Sequence, residues 1–487
     1  MSGNSAAVIQ PRLSSVWTRA KAVPRDASAA SLAVYVAAAV YGVVFAVAAT
    51  VYYLGFNEAR LDLGDMVQAI WSTAHGHFLQ FTTPNGLELS RLGAHADPFL
   101  VLLVPLWWIW PSPVGLLVAQ ALAVAAGAVP VYWLARKHLA SGRAAAHMAI
   151  AYLLFPATQF NAFTPTSGVH AVSFAVPLLL FAIWYLDEDR LVPFSLVALL
   201  AMSTKEEIGA AVGLLGLWYA VRKRRWIVGL TVFVVGFVVT AVDFLFVIPH
   251  FASDAFQPFA ARYAGVGGTP SGIAHEAVTH PLRLLEAMGS GHKAVYLALL
   301  IVPLLGLALL EPLLLLCAVP DLAINLLSSD SNQTTIQFQY TAGIVPFLFA
   351  AGIFGIRRLR RDADRTSMLV LVAVMLVAAY SPLFLSSHEI GSALRHDPTR
   401  AAKTTALRLV PSSASVSASN QLAGRLSARR HITIFPWRAH ADWVVVDRSD
   451  PTYESRSRFL AAIRHVTTSG TWKRVFAAHG VEVFRRS

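Results

Sequence analysis

Between Ser31 and Leu385, long apolar runs rich in Ala, Leu, Val and Phe alternate with short polar clusters, and past Leu385 the runs stop. A bilayer core holds no water for backbone amides, so each such run must pair its amides internally and is predicted to be helical. The pattern predicts eleven spans, near 31–54, 113–135, 144–160, 169–186, 191–204, 207–221, 226–248, 294–310, 312–327, 340–356 and 367–385. Several are short for a hydrocarbon layer about 30 Å thick, which leaves room for about ten to twelve crossings, two of them re-entrant. The stretch 98–110, PFLVLLVPLWWIW, is shorter still and Trp-rich, so it is predicted to lie at the membrane interface.

From Glu389 onward the pattern changes to short mixed segments. It predicts a small α/β domain over 389–487, with strands near 414–418, 431–435 and 442–447 and helices near 420–430 and 455–468. A closing hairpin at 475–485 would turn at His479-Gly480. No repeat of fixed period is visible in the sequence.

Composition sharpens this picture. Of 487 residues 56% are apolar and 14% charged, against about 25% charged in an ordinary globular domain. That excludes a disordered, fibrous or disulfide-stapled chain. The single cysteine, Cys317, sits in an apolar run, so the chain can form neither an internal disulfide nor a Cys-based metal site. A net charge of +12 would indicate a nucleic-acid partner if the basic residues formed one patch on a polar fold, but they lie between apolar runs.

Their distribution sets orientation instead, because insertion resists translocating Lys and Arg. With the N-terminus inside, seventeen basic residues before position 386 fall on the cytoplasmic side, the run Arg222 to Arg225 and the cluster Arg357 to Arg365 among them. Only six fall outside: Arg60, Arg91, Lys205, Arg262, Arg283 and Lys293. The chain thus reads as an α-helical polytopic membrane protein with its N-terminus inside. Residues 1–30 form a basic cytoplasmic segment, 31–388 the membrane domain with a first outer loop at 55–112, and 389–487 an extracytoplasmic domain. The first apolar run is about twice the length of a signal-peptide core, so it is expected to remain as an uncleaved anchor; no lipidation box is evident.

Ionisable residues at bilayer depth are expensive and mark functional sites. The first outer loop carries Asp62 and Asp65 one helical turn apart, followed by Gln68, Trp71, His75 and His77. These acids fit catalysis on an interfacial helix, and they equally fit capping of that helix. LGAHADPFL brings His95 and Asp97 together; they could bind a metal or a phosphate, although a helix start with Pro98 at its first turn explains the same letters. His170 opens a span after an outer loop, as a ligand or as a hydrogen-bonded interfacial residue. STKEEIG places Lys205, Glu206 and Glu207 between two apolar runs, where three consecutive charges carry a desolvation cost that a simple hairpin does not require. The loop from Ser328 to Tyr340 ends in Gln337, Gln339 and Tyr340, which can read sugar hydroxyls or serve as a plain polar loop. All five places fall on one face.

The blocks LDLGDMVQAIWSTAHG, LGAHADPFLVLLVPLWWIWPSPVGLLVAQALAVAAGAVPVYWLAR, STKEEIG and ASNQLAGRLSARRHITIFPWRAHADWVVVD, in that order, resemble a bacterial membrane family catalogued as a domain of unknown function, number two-thousand-and-seventy-nine. The likeness runs from about Tyr52 to Asp447. The family's layout is similar to that of GT-C glycosyltransferases, which use polyprenyl-phosphate sugars on the extracytoplasmic face. By that resemblance Asp62 matches the essential acid of the first outer loop, and Asp65, in a different register, is a companion candidate. By the same resemblance His95, His170, Lys205 and Glu206 would bind substrate, with Glu206 orienting Lys205 or an acceptor hydroxyl, and Asp97, Gln339 and Tyr340 join them on the reading of their own loops. Glu207 stands where Asp is more usual. The resemblance implies transfer of a sugar from a polyprenyl-phosphate donor to an envelope acceptor; a divalent cation near Asp62 and Asp97 is compatible with it and not required. Two other functions fit the same residues: a lipid or polysaccharide-precursor transporter or flippase, and a non-catalytic scaffold for envelope assembly.

Overall fold

The computed structural model describes residues 29–253, 260–451 and 454–487; most of the basic N-terminal segment 1–30 lies outside them. Among the described residues, three helices are long and apolar enough to cross a membrane: Ala29–Leu54, Pro113–Leu139 and Trp226–Phe251. A fourth crossing is available if the pair Pro281–Met288 and Gly291–Leu304, bent by 72°, counts as one. The other apolar runs fold as shorter helices, and proline explains much of the shortening, since it removes an amide donor and clashes with the preceding turn. The run 144–160 breaks at Phe155, extended before Pro156. The run 294–310 breaks after Pro303, where Leu305 and Gly306 turn left-handed. Residues 312–327 split into three pieces, and the run 367–385 is a regular helix only to Leu376.

Helix Val345–Leu359 is the rod at the centre. Every residue from Val345 to Ile356 is buried, and Ala128–Leu139, Ala175–Asp187 and the short helices between Val302 and Ala318 pack around it. Alongside, Ile208–Lys223 and Trp226–Val242 form an antiparallel hairpin turning at left-handed Arg224. Its helices touch through glycines: a Cβ at Gly236 would lie 2.4 Å from the Gly209 carbonyl oxygen. Small residues let helix backbones meet where lipid offers no hydrophobic drive.

The first loop contains a two-stranded hairpin, β1 (Gln80–Thr82) with β2 (Glu88–Ser90). The stretch 98–110 is a 3₁₀ turn, Pro98–Leu103, running into helix Val104–Ile109, with Trp108 and Ile109 exposed. The tail forms a five-stranded sheet ordered β4-β3-β5-β7-β6, where β3 is Val416–Ala418, β4 Ile432–Ile434, β5 Trp443–Asp447, β6 Trp472–Ala478 and β7 Val481–Arg486. β3 runs parallel to β4 and β5, and the remaining neighbours are antiparallel. The strands sit where the alternating pattern places them, and the hairpin turns at His479-Gly480, both at positive φ. Along β5, Val445 faces one apolar cluster with Ala406 and Leu422, while Val444 and Val446 face another with Phe459 and Ile463. Period-2 alternation thus covers both faces with helices.

Candidate functional site

One cavity of about 450 Å³ is lined by Asp62, Asp65, His95, Asp97, His170 and Lys205, and also by Gln339 and Tyr340. Three lining segments lead into helices: Ala171 and Val172 open the lead-in to Ala175–Asp187, Lys205 precedes Ile208–Lys223, and Gln339 and Tyr340 precede Val345–Leu359. The lead-in at Ala171 starts on the wall itself, and the partial positive charge of a helix start favours an anion there.

Asp62 does not cap the helix Asp65–Ala74 that follows it. Its backbone takes φ 67°, ψ −84°, a strained γ-turn geometry for a residue with a side chain. Such strain persists where surrounding structure enforces it, commonly at functional sites. Burial pushes the Asp62 carboxyl above the usual aspartate range, against the pull of Arg91, a hydrogen bond from Ser167, and the charges of His95 and Arg262.

Asp65 is tied down. Buried Arg60 ion-pairs with it and donates to Gln68 Oε1 at 2.6 Å and the Thr82 carbonyl at 2.7 Å. Gln68 Nε2 in turn donates to the carbonyls of Arg429 and Arg430, at 3.0 and 2.8 Å, and the Arg60 amide donates to Asn420 Oδ1 at 2.9 Å. The tail domain is therefore bolted onto the loop that holds both acids.

Asp97 does stand at a helix start, with Pro98 opening the turn Pro98–Leu103, but its side chain does no capping. It accepts instead from Arg91 Nε at 3.0 Å, while its second oxygen is buried without a partner among the described residues. Burial raises the Asp97 carboxyl and opposes the charge on Arg91, but Asp97, Asp65 and Asp62 together outweigh that and hold Arg91 cationic.

Glu206 does not line the cavity and does not orient Lys205 by direct contact. It binds His95 Nδ1 at 2.9 Å and accepts from the Ala96 amide at 3.1 Å, so it fixes the His95 loop. Lys205 pairs with Glu207, and its ammonium lies 5.8 Å from the Tyr340 ring centroid. Burial works against the Lys205 charge, yet Glu207, Glu206 and Asp321 overcome it and raise the ammonium's pKa. His170 is held by its amide, which donates to Gln120 Oε1 at 2.7 Å, leaving Nε2 buried without a partner among the described residues.

Sequence reasoning missed Arg91 and the Arg262–Asp330 pair, 3.2 Å apart, both on the cavity wall. The available signal was scarcity: Arg91 and Arg262 are two of only six basic residues assigned to that face. Gln337 and the pair His75 and His77 do not line the cavity. Among the described residues no group of three or more His, Cys, Asp or Glu has a metal-holding arrangement.

Residues 53–483 match the family model described as "Predicted membrane protein (DUF2079)". No curated protein matches the chain. Among solved structures, apo ArnT from Cupriavidus metallidurans aligns with TM-score 0.52 at 13% identity, covering 94% of this chain and 98% of that one. The same protein bound to undecaprenyl phosphate aligns at 0.49 with 12% identity, covering 91% and 97%. An Archaeoglobus fulgidus oligosaccharyltransferase in complex with Zn and sulfate aligns at 0.39 with 13% identity, covering 91% and 73%. At these identities the likeness to apo ArnT is one of fold.

Proposed function

The chain belongs to the DUF2079 family of predicted membrane proteins, and from that premise we propose that it is a GT-C-like glycosyltransferase of the bacterial plasma membrane. It moves a sugar from a polyprenyl-phosphate donor to an acceptor on the extracytoplasmic face. The observation that carries this reading is the convergence of Asp62, His95, His170 and Lys205, from four distant segments, on one cavity. The polyprenyl tail stays among the apolar helices while phosphate and sugar reach the cavity. The orientation follows the excess of basic residues at the opposite ends of the same helices.

Asp62 takes the proton of the acceptor hydroxyl as its oxygen attacks the anomeric carbon. A partly desolvated carboxylate with no cation fixed on it suits that task. The bond from that carbon to the phosphate oxygen breaks, and the phosphate leaves with the electron pair. Lys205 meets the developing charge. His170, with a free ring nitrogen, and the half-buried Gln339 and Tyr340 contact sugar or phosphate oxygens. Asp65 anchors the loop through Arg60, and Glu206 positions His95.

The test uses full-length protein in detergent, extracted with its lipids. Mass spectrometry should find a polyprenyl-phosphate sugar bound to Asp62→Asn, and wild-type protein should discharge it to an acceptor. Turnover in Asp62→Asn should fall by about 10²–10⁴-fold. Equal turnover in the two proteins would remove Asp62 as the base, and binding without any turnover would favour a transporter.

A further inference from the structure

The helices that follow the candidate cavity's lining segments end at a second concave region. Ala175–Asp187, Ile208–Lys223 and Val345–Leu359 converge there with the C-terminal end of Ala128–Leu139. A cavity of about 430 Å³ is lined by Lys137, His138, Asp187, Arg222, Lys223 and Arg357. A neighbour of about 300 Å³ shares Arg222 and Arg357 and adds Glu311, Arg358 and Arg360. Six cations line the two cavities against two carboxylates, and Glu188 beside them pairs with Lys137, which leaves an excess of three positive charges. Four helix C-termini offset roughly half a charge each, leaving about one. A phosphate monoester carries about −1.5 to −2 at neutral pH.

Favourable membrane insertion needs cations near these helix ends, but it does not need them arranged around a cavity. Here buried Asp187 organises the wall. It accepts from Lys137 Nζ at 2.6 Å and His138 Nε2 at 2.8 Å, and its carbonyl accepts from Lys223 Nζ at 2.7 Å. His138, donating through Nε2, accepts at Nδ1 from Arg357 Nη1 at 3.0 Å, so the chain of bonds aims Arg357 without neutralising it. Arg222 stacks on Phe354 with its guanidinium 4.6 Å from the ring centroid. Neither Arg222 nor Arg357 has a carboxylate partner among the described residues, and both stand on the wall the two cavities share. Two guanidinium forks held in place but not neutralised are suited to phosphate oxygens.

We propose that this cleft is an anion site for a phosphate monoester, at the far end of the bundle from the candidate active cavity. Neither its geometry nor its charge depends on the transferase reading. The site takes the phosphate whether it is free in solution or carried on a lipid tail; basic pockets between membrane helices commonly hold lipid head groups.

The test is isothermal titration of the full-length protein in an uncharged detergent, with inorganic phosphate and with dodecyl phosphate as probes. A saturable event is expected that persists in Lys205→Gln, which alters only the other cavity. It should weaken at least tenfold in Arg222→Gln/Arg357→Gln. Binding of both probes identifies a site for the phosphate group itself, and binding of dodecyl phosphate alone identifies a lipid-borne phosphate. Should the double variant misfold, Arg360→Gln, at an exposed helix end, is expected to weaken the event about threefold. Failure of both probes to bind, or binding unchanged in the arginine variants, would overturn the proposal.

Discussion

Asp62 and Asp65 show how much the surroundings of a side chain decide. Three residues apart, one is clamped by Arg60 and the other is buried beside several polar groups without a fixed cation. Burial raises the Asp62 pKa, so the base form appears only above a value higher than an ordinary aspartate's. Activity should therefore fall as pH drops through that raised value, and the acid limb of the kcat/KM profile should lie above about pH 3.9. A limb at or below that value would mean another group is titrating. His95 and Glu206 make the opposite case: burial opposes ionisation of Glu206, but His95 and Lys205 hold its carboxyl below the usual range. Its ionisation stabilises the fold above the ordinary glutamate pKa, and that contribution is lost as pH falls through the lower folded value. Glu206→Gln should cost roughly 1–3 kcal/mol near neutral pH and flatten the acid side of the curve of thermal stability against pH. The pairing itself was not legible in STKEEIG. Adjacent Lys and Glu look like partners in sequence, but the turn between Met202 and Ile208 sends Glu206 to His95 and leaves Lys205 to Glu207.

At the scale of elements, polar residues at the ends of apolar runs were a sound guide, because desolvation confines them to places where several helices open onto water. Asp62, Asp65, His95, Asp97, His170, Lys205, Gln339 and Tyr340 were found that way, whereas Arg91, Arg262 and Asp330 were not; the strands of the tail were legible from side chains that alternate between two faces. Helix integrity was harder to read. Hydropathy is blind to how Pro156 and Pro303 divide a run, and to the helix Pro398–Leu409 that backs the sheet. Nor does composition mark the glycine seam in the hairpin, where close approach depends on which glycines face each other. A Cβ at Gly209 would lie 2.6 Å from Thr240 Oγ1, the group that donates to the Glu206 carbonyl at 2.9 Å. Gly209→Val should therefore wedge the hairpin, cost roughly 1–3 kcal/mol, and lower turnover by shifting the Lys205 loop. Thermal unfolding and activity should move together, and a fully stable variant would argue against the seam.

Over the whole molecule, the tail and the first loop work as one body. Gln68 links them by accepting from Arg60 and donating to two carbonyls of the tail. Gln68→Leu would leave those buried groups unpaired at roughly 1–3 kcal/mol, and limited proteolysis should then cut between loop and sheet sooner than in wild type. The buried rod Val345–Leu359 has a different implication, for biogenesis. It is the axis of the bundle, yet the ribosome makes it after most of the helices that surround it. Until it emerges, a nascent chain is a ring without a hub, and the lone thiol of Cys317, wholly buried in the short helices packed on that rod, lacks part of its cover. A chain stalled near position 340 should leave this sulfur open to a membrane-permeant maleimide, and a released chain should close over it, so one native cysteine timestamps the moment the bundle locks.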